Sequence, residues 1–291
     1  MTTALAAATE SAVTRTDVTP DVIPNSIKVR RMDFEFADTL PEFWFDNNPV
    51  LTAFLSAMSV SFPAGERYFI DSVRHFQARI DNAELKEQIR GFIGQEANHT
   101  KEHIALNRFM DRKGYPATAM ENFVRKGITW VQRRSSPEEN LARTAALEHF
   151  TAIIAGSFLD HPELFEKMAP ELAQIWAWHS IEEVEHRSVA FDVYKSEVND
   201  EKLRLRTMVK VTFIFALVNS VRTLMLLNIS GHLFNARAWL KSLNLMWGRP
   251  GVFRRIVPHY FAYYRKDFHP AQHDYHDQVE AAKSRYLGDK A

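Results

Sequence analysis

Two Glu-x-x-His motifs constrain the fold of this chain more than any other feature of its sequence. They are Glu96/His99 and Glu183/His186, and the pattern occurs nowhere else among the 291 residues. Each motif lies in a long stretch with helical periodicity, where residues three apart share a face. One match would mean little, because about one is expected by chance in a chain with twelve histidines. Two matches predict two helices that each present a carboxylate and an imidazole on one face.

Each motif is preceded by a helical stretch with one glutamate on an otherwise apolar face. Glu66 and Glu148 are these glutamates, and the apolar neighbours are Phe62, Phe69, Ile70 and Val73 for the first and Leu141, Ala145, Ala152 and Ala155 for the second. The chain offers 30 residues between Glu66 and Glu96, and 35 between Glu148 and Glu183, enough for a helix, a turn and a return. Carboxylates are almost never buried unless they are paired or bind metal. The order Glu, Glu-x-x-His, Glu, Glu-x-x-His therefore predicts a bundle with a metal-binding core, as in ferritin-like carboxylate proteins.

The second motif belongs to a longer polar stripe. His179, Glu183 and His186 are spaced i, i+4 and i+7, so they fall within about 60° of one another on a helix. Glu182 lies on the flank of this stripe, and His103 lies one turn beyond His99 on the other motif's helix. For both of these residues a direct role in metal binding stays open.

The remaining pattern predicts an all-α protein, a ferritin-like four-helix bundle with additional C-terminal helices. Helical periodicity runs from residue 47 to about 198, and ten glycines are few for a turn-rich β fold. We expect a helix boundary at Pro63 and one continuous helix from Pro170 to about Val198. We interpret residues 1–25 as a disordered tail, 26–200 as the ferritin-like dimetal bundle, and 201–291 as C-terminal helices and an aromatic and basic segment packed on the bundle, all in a single domain.

The helix predicted after residue 201 has an unusually apolar middle, "VTFIFALVNSVRTLMLLNI". Lys210 and Arg222 leave only eleven uncharged residues between them. A membrane-spanning helix needs about 20 predominantly apolar residues, and charge at its centre is costly. We therefore expect a buried core helix or a helix on a membrane surface.

The amino-acid composition argues against several classes of function. Lysine plus arginine and aspartate plus glutamate are balanced at 36 each, whereas a nucleic-acid-binding domain needs a basic surplus. The absence of cysteine excludes disulfides, iron–sulfur clusters, thiolate zinc sites and cysteine nucleophiles, so any metal must have nitrogen and oxygen ligands. The N-terminus lacks the features of a signal peptide. We expect a cytoplasmic protein, with membrane association as an open alternative.

Two stretches carry a family resemblance. "GQEANH" and "WHSIEEVEHRSVAFDVY" resemble a bacterial ferritin-like family described as predicted metal-dependent hydrolases, over about residues 30 to 270. The spacing His-x-x-x-Glu-x-x-His is similar to the last ligand helix of the p-aminobenzoate N-oxygenase family of di-iron enzymes. This second resemblance implies His179 as a third histidine ligand, and the implied metal ligands are Glu66, Glu96, His99, Glu148, His179, Glu183 and His186. It also implies two iron ions, with manganese as an alternative.

These features lead to one functional hypothesis and two alternatives. The main hypothesis is an oxidoreductase, an O2-dependent oxygenase or hydroxylase that takes dioxygen, a small hydrophobic or aromatic organic substrate and electrons from a donor protein. The first alternative is a dinuclear metal-dependent hydrolase. The second alternative is a non-catalytic ferritin-like iron-binding protein. In each case we expect a homo-oligomer without nucleic-acid partners, and peripheral membrane contact stays open.

Overall fold

The computed structural model describes residues 27–291, and helices account for most of this range. The described part of the chain contains no β-strand, only an isolated bridge between Phe45 and Met168. The expected all-α class is therefore confirmed. The tail expected at residues 1–25 lies outside the described residues. The α-helices of the described residues are α1 (Pro49–Gln77), α2 (Ala83–Arg112), α3 (Ala117–Arg134), α4 (Pro137–Leu159), α5 (Pro170–His186), α6 (Val189–Glu197), α7 (Glu201–Ile229), α8 (Ala236–Leu243), α9 (Val252–Ala262) and α10 (His276–Tyr286).

Four helices form the centre of the molecule. Helix α1 packs against α2 and α4, and α5 packs against α4 and α2. Short connections join α1 to α2 and α4 to α5, which is typical of antiparallel neighbours in a bundle. The other helices surround this core: α3 lies against α1 and α2, α7 against α1 and α4, α9 against α4, and α10 against α5. This arrangement is a helical bundle with additional helices on its outside.

Helix α1 continues through Pro63, so the boundary expected there is wrong. A proline inside a helix lacks the N–H that would bond the carbonyl four residues earlier, here Ser59. In this structure the Ser59 carbonyl accepts a hydrogen bond from Nδ2 of Asn107 at 3.4 Å. A side chain from α2 thus replaces the missing backbone bond, because the two helices pack closely.

The continuous helix expected from Pro170 to about Val198 is also wrong, because it is divided into α5 and α6. The break falls at Arg187 and Ser188, directly after the second Glu-x-x-His motif. The Arg187 guanidinium donates to the carbonyl of Val184, which would otherwise accept from the Ser188 N–H in a continuing helix. The same guanidinium also donates to the carbonyls of Pro270 and His273, each at 3.2 Å. The C-terminal segment is thereby attached beside the end of α5.

One helix in the described part of the chain, α7, has the length and apolarity to cross a membrane. Only 22% of its most apolar 18-residue window is buried, so the first of the two alternatives, a buried core helix, is wrong for most of its length. The buried part faces α1 and α4, and the Arg222 guanidinium donates to the Ser61 hydroxyl on α1. Helix α7 therefore lies along the bundle and presents an apolar face outward.

Candidate metal centre

The four central helices bring all seven predicted ligand residues to one place. Helix α1 supplies Glu66, α2 supplies Glu96 and His99, α4 supplies Glu148, and α5 supplies His179, Glu183 and His186. None of the seven residues is more than 4% exposed. They form three overlapping groups of three residues, and in each group one ligand atom per residue lies within 4.8 Å of the other two. A buried cluster of four carboxylates and three imidazoles therefore occupies the bundle core.

The cluster has two halves. Glu66, His99 and His179 form one compact group, and Glu96, Glu148 and His186 form another. In the second half, Nε2 of His186 lies 3.3 Å from Oε2 of Glu148 and 3.4 Å from Oε1 of Glu96. This grouping offers two candidate positions for metal ions, one in each half.

Two carboxylates reach into both halves. Oε1 of Glu183 lies 3.0 Å from Nε2 of His179, while its Oε2 lies 3.7 Å from Nε2 of His186. Glu96 divides in the same way, with Oε2 at 3.6 Å from Nδ1 of His99 and Oε1 towards His186. Each of these glutamates can therefore bridge two ions, while Glu66 and Glu148 each face one.

The separations between donor atoms suit a shared ion. Nitrogen and oxygen ligands at about 2.0–2.2 Å from a divalent ion stand about 3.0 Å apart in octahedral and about 3.4 Å apart in tetrahedral geometry. The six measured pairs fall between 3.0 and 3.7 Å. Three of these pairs lie within the range for a shared ion, and the other three are longer by at most about 0.3 Å.

Most of the donor atoms in the cluster lack hydrogen-bond partners among residues 27–291. A buried polar atom without a partner costs free energy, and such atoms are rare in folded proteins. Nine of them are concentrated at this one place: both carboxylate oxygens of Glu66, of Glu96 and of Glu148, Oε2 of Glu183, Nδ1 of His99 and Nε2 of His186. All are atoms that metal ions would bind, so the residues fit a dinuclear centre.

A chain of hydrogen bonds sets the tautomer of His179. The Ser59 hydroxyl donates to Oδ1 of Asn107 at 2.9 Å, so it accepts from Nδ1 of His103 at 2.9 Å. Burial lowers the pKa of His103 well below its usual range, so the ring is neutral and its Nε2 is an acceptor. That Nε2 lies 2.8 Å from Nδ1 of His179, which must carry the proton. Nε2 of His179 is left with its lone pair facing the cluster.

The side chain of Gln95 determines which ring nitrogen of His186 faces the cluster. Its amide nitrogen donates to the Lys28 carbonyl and to Oε2 of Glu185, both at 2.9 Å, which leaves its amide oxygen as the acceptor. That oxygen lies 2.9 Å from Nδ1 of His186, so the second ring nitrogen, Nε2, faces the cluster. Partners of this kind orient metal-binding histidines and raise their basicity.

Glu182 is the hydrogen-bond partner that orients the ring of His99. Its Oε2 lies 3.1 Å from Nε2 of His99, and its Oε1 accepts from the Arg30 guanidinium at 3.2 Å. Arg30 also forms a two-pronged pair with Glu185, at 2.6 and 2.8 Å. Nδ1 of His99 is therefore the nitrogen directed at the cluster. Glu182 and His103 thus contact the far nitrogens of the candidate ligands.

Burial controls the protonation of the metal-free cluster. It raises the pKa of Glu66, Glu96 and Glu148, and it lowers the pKa of His99 to about 3 and of His179 to about 4. Burial also opposes charge on Glu183, but the neighbouring imidazoles of His179 and His186 hold the pKa of Glu183 well below its usual range. Against burial, Glu148 and Glu183 raise the pKa of His186 to about 10. In the metal-free cluster, protons on Glu66, Glu96, Glu148 and His186 reduce the net negative charge, as bound metal ions would.

Sequence reasoning missed four residues of this site. Gln95, Ser59 and Asn107 are buried polar residues on the same helices as the ligands, and Arg30 comes from the segment before α1. The only sequence signal for the first three is a polar residue on a helix face that is otherwise apolar or already carries a ligand. Arg30 gives no such signal, because it lies in an extended segment before the helices, where helical spacing does not apply.

Comparison with known proteins gives one match. No curated protein and no solved structure matches the chain significantly. The similarity to ferritin-like di-iron enzymes therefore stays a prediction. A family model for predicted metal-dependent hydrolases matches residues 28–274, a range that includes all seven residues of the cluster. The chain therefore belongs to the family described as predicted metal-dependent hydrolases.

Proposed function

We propose that this protein is an enzyme with a dinuclear metal centre in its helical bundle. The observation that carries the proposal is the convergence of nine unpartnered, buried donor atoms from four helices. The proposed ligands are Glu66, His99 and His179 for one ion, Glu148 and His186 for the other, and Glu96 and Glu183 for both. Bound there, divalent ions would supply Lewis-acid activation or, as iron, dioxygen chemistry.

The donor set supports iron or manganese as the resident metal. Imidazole nitrogens and carboxylate oxygens suit these ions, and no thiolate competes for a softer metal because the chain has no cysteine. Four carboxylates offset the charge of two divalent ions. We propose two iron ions, with two manganese ions as the alternative.

Hydrolysis is the reaction class that the family description supports. In a two-metal hydrolase the protein fixes both ions and the substrate between them, and it excludes other ligands from the site. Here Glu96 and Glu183 would keep the two halves at a fixed separation. The histidine partners Gln95, His103 and Glu182 would keep the ring orientations constant during the reaction.

Oxygenation is the second candidate, and the lining of a cavity beside the cluster favours it. This cavity reaches His179 and Glu183, and its remaining walls are mostly apolar, from Leu55, Met58, Phe62, Ile154 and Phe158. The Phe62 ring stacks on the imidazole of His179 with centroids 4.7 Å apart. The chemistry of these walls suits an apolar ligand, but the cavity measures only about 20 Å³, room for about one water-sized molecule. A small hydrophobic or aromatic substrate would therefore require these walls to move apart. An oxygenase also requires electrons, so this candidate function includes a donor protein that supplies them.

Metal content and oxygen use together test both candidates. Protein produced with iron should contain two metal ions per chain, and the variant Glu183→Ala should contain fewer. A hydrolase would cleave simple ester or phosphate substrates under strict anaerobiosis with manganese or zinc bound. An oxygenase would consume dioxygen after reduction of the iron-loaded protein and would be inactive without it. Metal-free wild-type protein after iron supplementation would overturn the whole proposal.

A further inference from the structure

The outer face of the C-terminal helices exposes many large apolar side chains. On α7, Phe213 is 72% exposed and Leu217 is 65% exposed, and Ile214, Val221, Leu224, Met225 and Ile229 are also exposed. From Phe213 to Ile229 this strip measures about 24 Å at 1.5 Å per residue. Beyond α7, Phe234, Leu240, Trp247 and Phe261 are each more than half exposed. Exposed apolar patches of this extent mark interaction sites.

These elements adjoin one another. The hydroxyls of Thr212 on α7 and Tyr260 on α9 lie 2.9 Å apart, which places the neighbouring residues Phe213 and Phe261 on adjoining helices. The strip on α7 carries no exposed charge, because Arg222, its one charged residue, is half-buried and donates to Ser61 on α1. We call the exposed apolar residues of α7, α8 and α9 the apolar face.

The charge around the apolar face has one sign. Between Glu201 and Asp267 the sequence contains twelve lysines and arginines and no aspartate or glutamate. Since the whole chain has 36 basic and 36 acidic residues, the rest of the chain carries twelve more acidic than basic side chains. Exposed members of the basic set include Lys210 on α7 and Arg254 and Arg255 on α9. The positive charge is thus concentrated on the segment that also carries the apolar face.

We propose that the apolar face docks on a membrane surface that contains anionic lipids. Apolar and aromatic side chains beside lysine and arginine are the combination that inserts into the headgroup region and attracts acidic lipids. The contacts of α7 with α1 and α4 leave only its outer face for the membrane, so the protein lies on the bilayer. This docking is independent of the reaction at the metal centre.

The charge distribution favours a membrane over a second copy of the chain. A two-fold dimer through this face would place each basic segment against its own copy, and like charges brought together across an interface repel. An anionic bilayer instead attracts the basic residues and buries the apolar ones. Charge complementarity therefore selects the lipid surface.

Flotation with vesicles tests the proposal on the full chain. We expect binding to phosphatidylcholine vesicles that contain phosphatidylserine, weaker binding to phosphatidylcholine alone, and release at high salt. Two variants should each reduce binding by at least about tenfold: the double variant Phe213→Asp/Leu217→Asp and the double variant Arg254→Glu/Arg255→Glu. Matched controls come from α3, where Phe123 is 77% exposed and Lys126 is exposed. Phe123→Asp and Lys126→Glu should bind like the wild type.

Three outcomes would overturn the proposal. The first is the absence of binding to anionic vesicles by wild-type protein with a native circular dichroism spectrum. The second is equal loss of binding in the α3 controls. The third is a wild-type dimer in sedimentation that Phe213→Asp/Leu217→Asp dissociates, with no binding to vesicles. Arg254 and Arg255 donate to the carbonyls of Trp247, Gly248 and Pro250, so both double variants are checked by circular dichroism. The exposed Lys210 offers a third variant, Lys210→Glu, which should also weaken binding and keeps the test decisive if a double variant fails to fold.

Discussion

Nε2 of His103 lies 2.8 Å from Nδ1 of His179, between the candidate metal centre and the hydroxyl of Ser59. The position of His103 one turn beyond His99 left its role open, because spacing alone does not separate a ligand from a partner of a ligand. In the structure its hydrogen bonds determine which nitrogen of His179 can bind an ion. This role can be tested by substitution.

Replacing His103 should weaken metal binding without removing a ligand. His103→Leu removes the acceptor for Nδ1–H of His179, and loss of such a partner typically lowers metal affinity about 10–100-fold. His103→Gln should retain more affinity, because its amide oxygen can accept the same hydrogen bond. Competition titration with a chelating dye measures the affinity, and His75→Leu on the exposed face of α1 is the control. Equal affinity in the leucine and glutamine variants would contradict the assigned tautomer.

Metal stoichiometry should distinguish the bridging glutamates from the others. Glu183 faces both halves of the cluster, so Glu183→Ala should lower the content from two ions towards none. Glu148 faces only the half with His186, so Glu148→Ala should keep about one ion. Elemental analysis gives the ratio of metal to protein, and Glu171→Ala, on the exposed start of α5, should keep both ions. The same stoichiometry in the first two variants would argue against two separate centres.

Much of this site could be predicted from sequence because helices impose a fixed geometry on spacing. The i, i+3 and i, i+4 relations placed Glu96 with His99 and Glu183 with His186 on single faces, and the structure brings these faces together. The all-α class followed from the same periodicity. What the spacing could not predict was the set of contacts, outside the repeated Glu and Glu-x-x-His pattern, between segments far apart in the chain.

The differences from the sequence-based expectations arise from such contacts. Helix α1 continues through Pro63 because Asn107, on another helix, bonds the carbonyl of Ser59. Helix α5 ends at His186 because the Arg187 side chain donates to the backbone carbonyl of Val184 and to that of Pro270 in the C-terminal segment. Local helix propensity does not predict either contact, because both involve residues far away in the sequence. Whether α7 is buried or exposed also stayed open at the level of sequence, since periodicity does not reveal which apolar face of a helix has a neighbour.

Removal of the metal should destabilise the fold. Without ions, nine buried donor atoms lack partners within residues 27–291, and ligand binding to the native state stabilises it by about 2.7 kcal/mol at a free concentration near 100 times the Kd. For a domain of this size the midpoint of thermal unfolding should fall by roughly 5–10 °C on chelation. Calorimetry before and after treatment with a chelator measures the change, and added metal should restore it. An unchanged midpoint in protein that has lost its metal would contradict the assignment.

The metal-free protein should lose stability as pH rises above neutrality. Burial raises the folded-state pKa of Glu182 to about 8 from an ordinary value of 4.5, so its contribution is present below pH 4.5 and is lost as pH rises through about 8. The raised pKa of His186, about 10, acts in the same direction above pH 6.5. Urea unfolding between pH 7 and 8.5 should show a falling free energy of unfolding. Glu182→Gln should reduce this slope, and bound metal, which displaces the proton from His186, should reduce it further.

Arg30 should be essential for stability although it lies outside the helices. It is 4% exposed and is the shared cation for Glu182 and Glu185. Removing one partner of a buried ion pair typically costs about 3–5 kcal/mol, because the remaining charge is left unpaired, although Lys283 still lies 2.9 Å from Glu185 and will offset part of that cost. Denaturant unfolding of Arg30→Met should therefore show a loss of about 3 kcal/mol. The neighbouring Arg31 is exposed, so Arg31→Met should unfold like the wild type, and equal losses in the two variants would show that Arg30 does not support the carboxylates beside the metal centre.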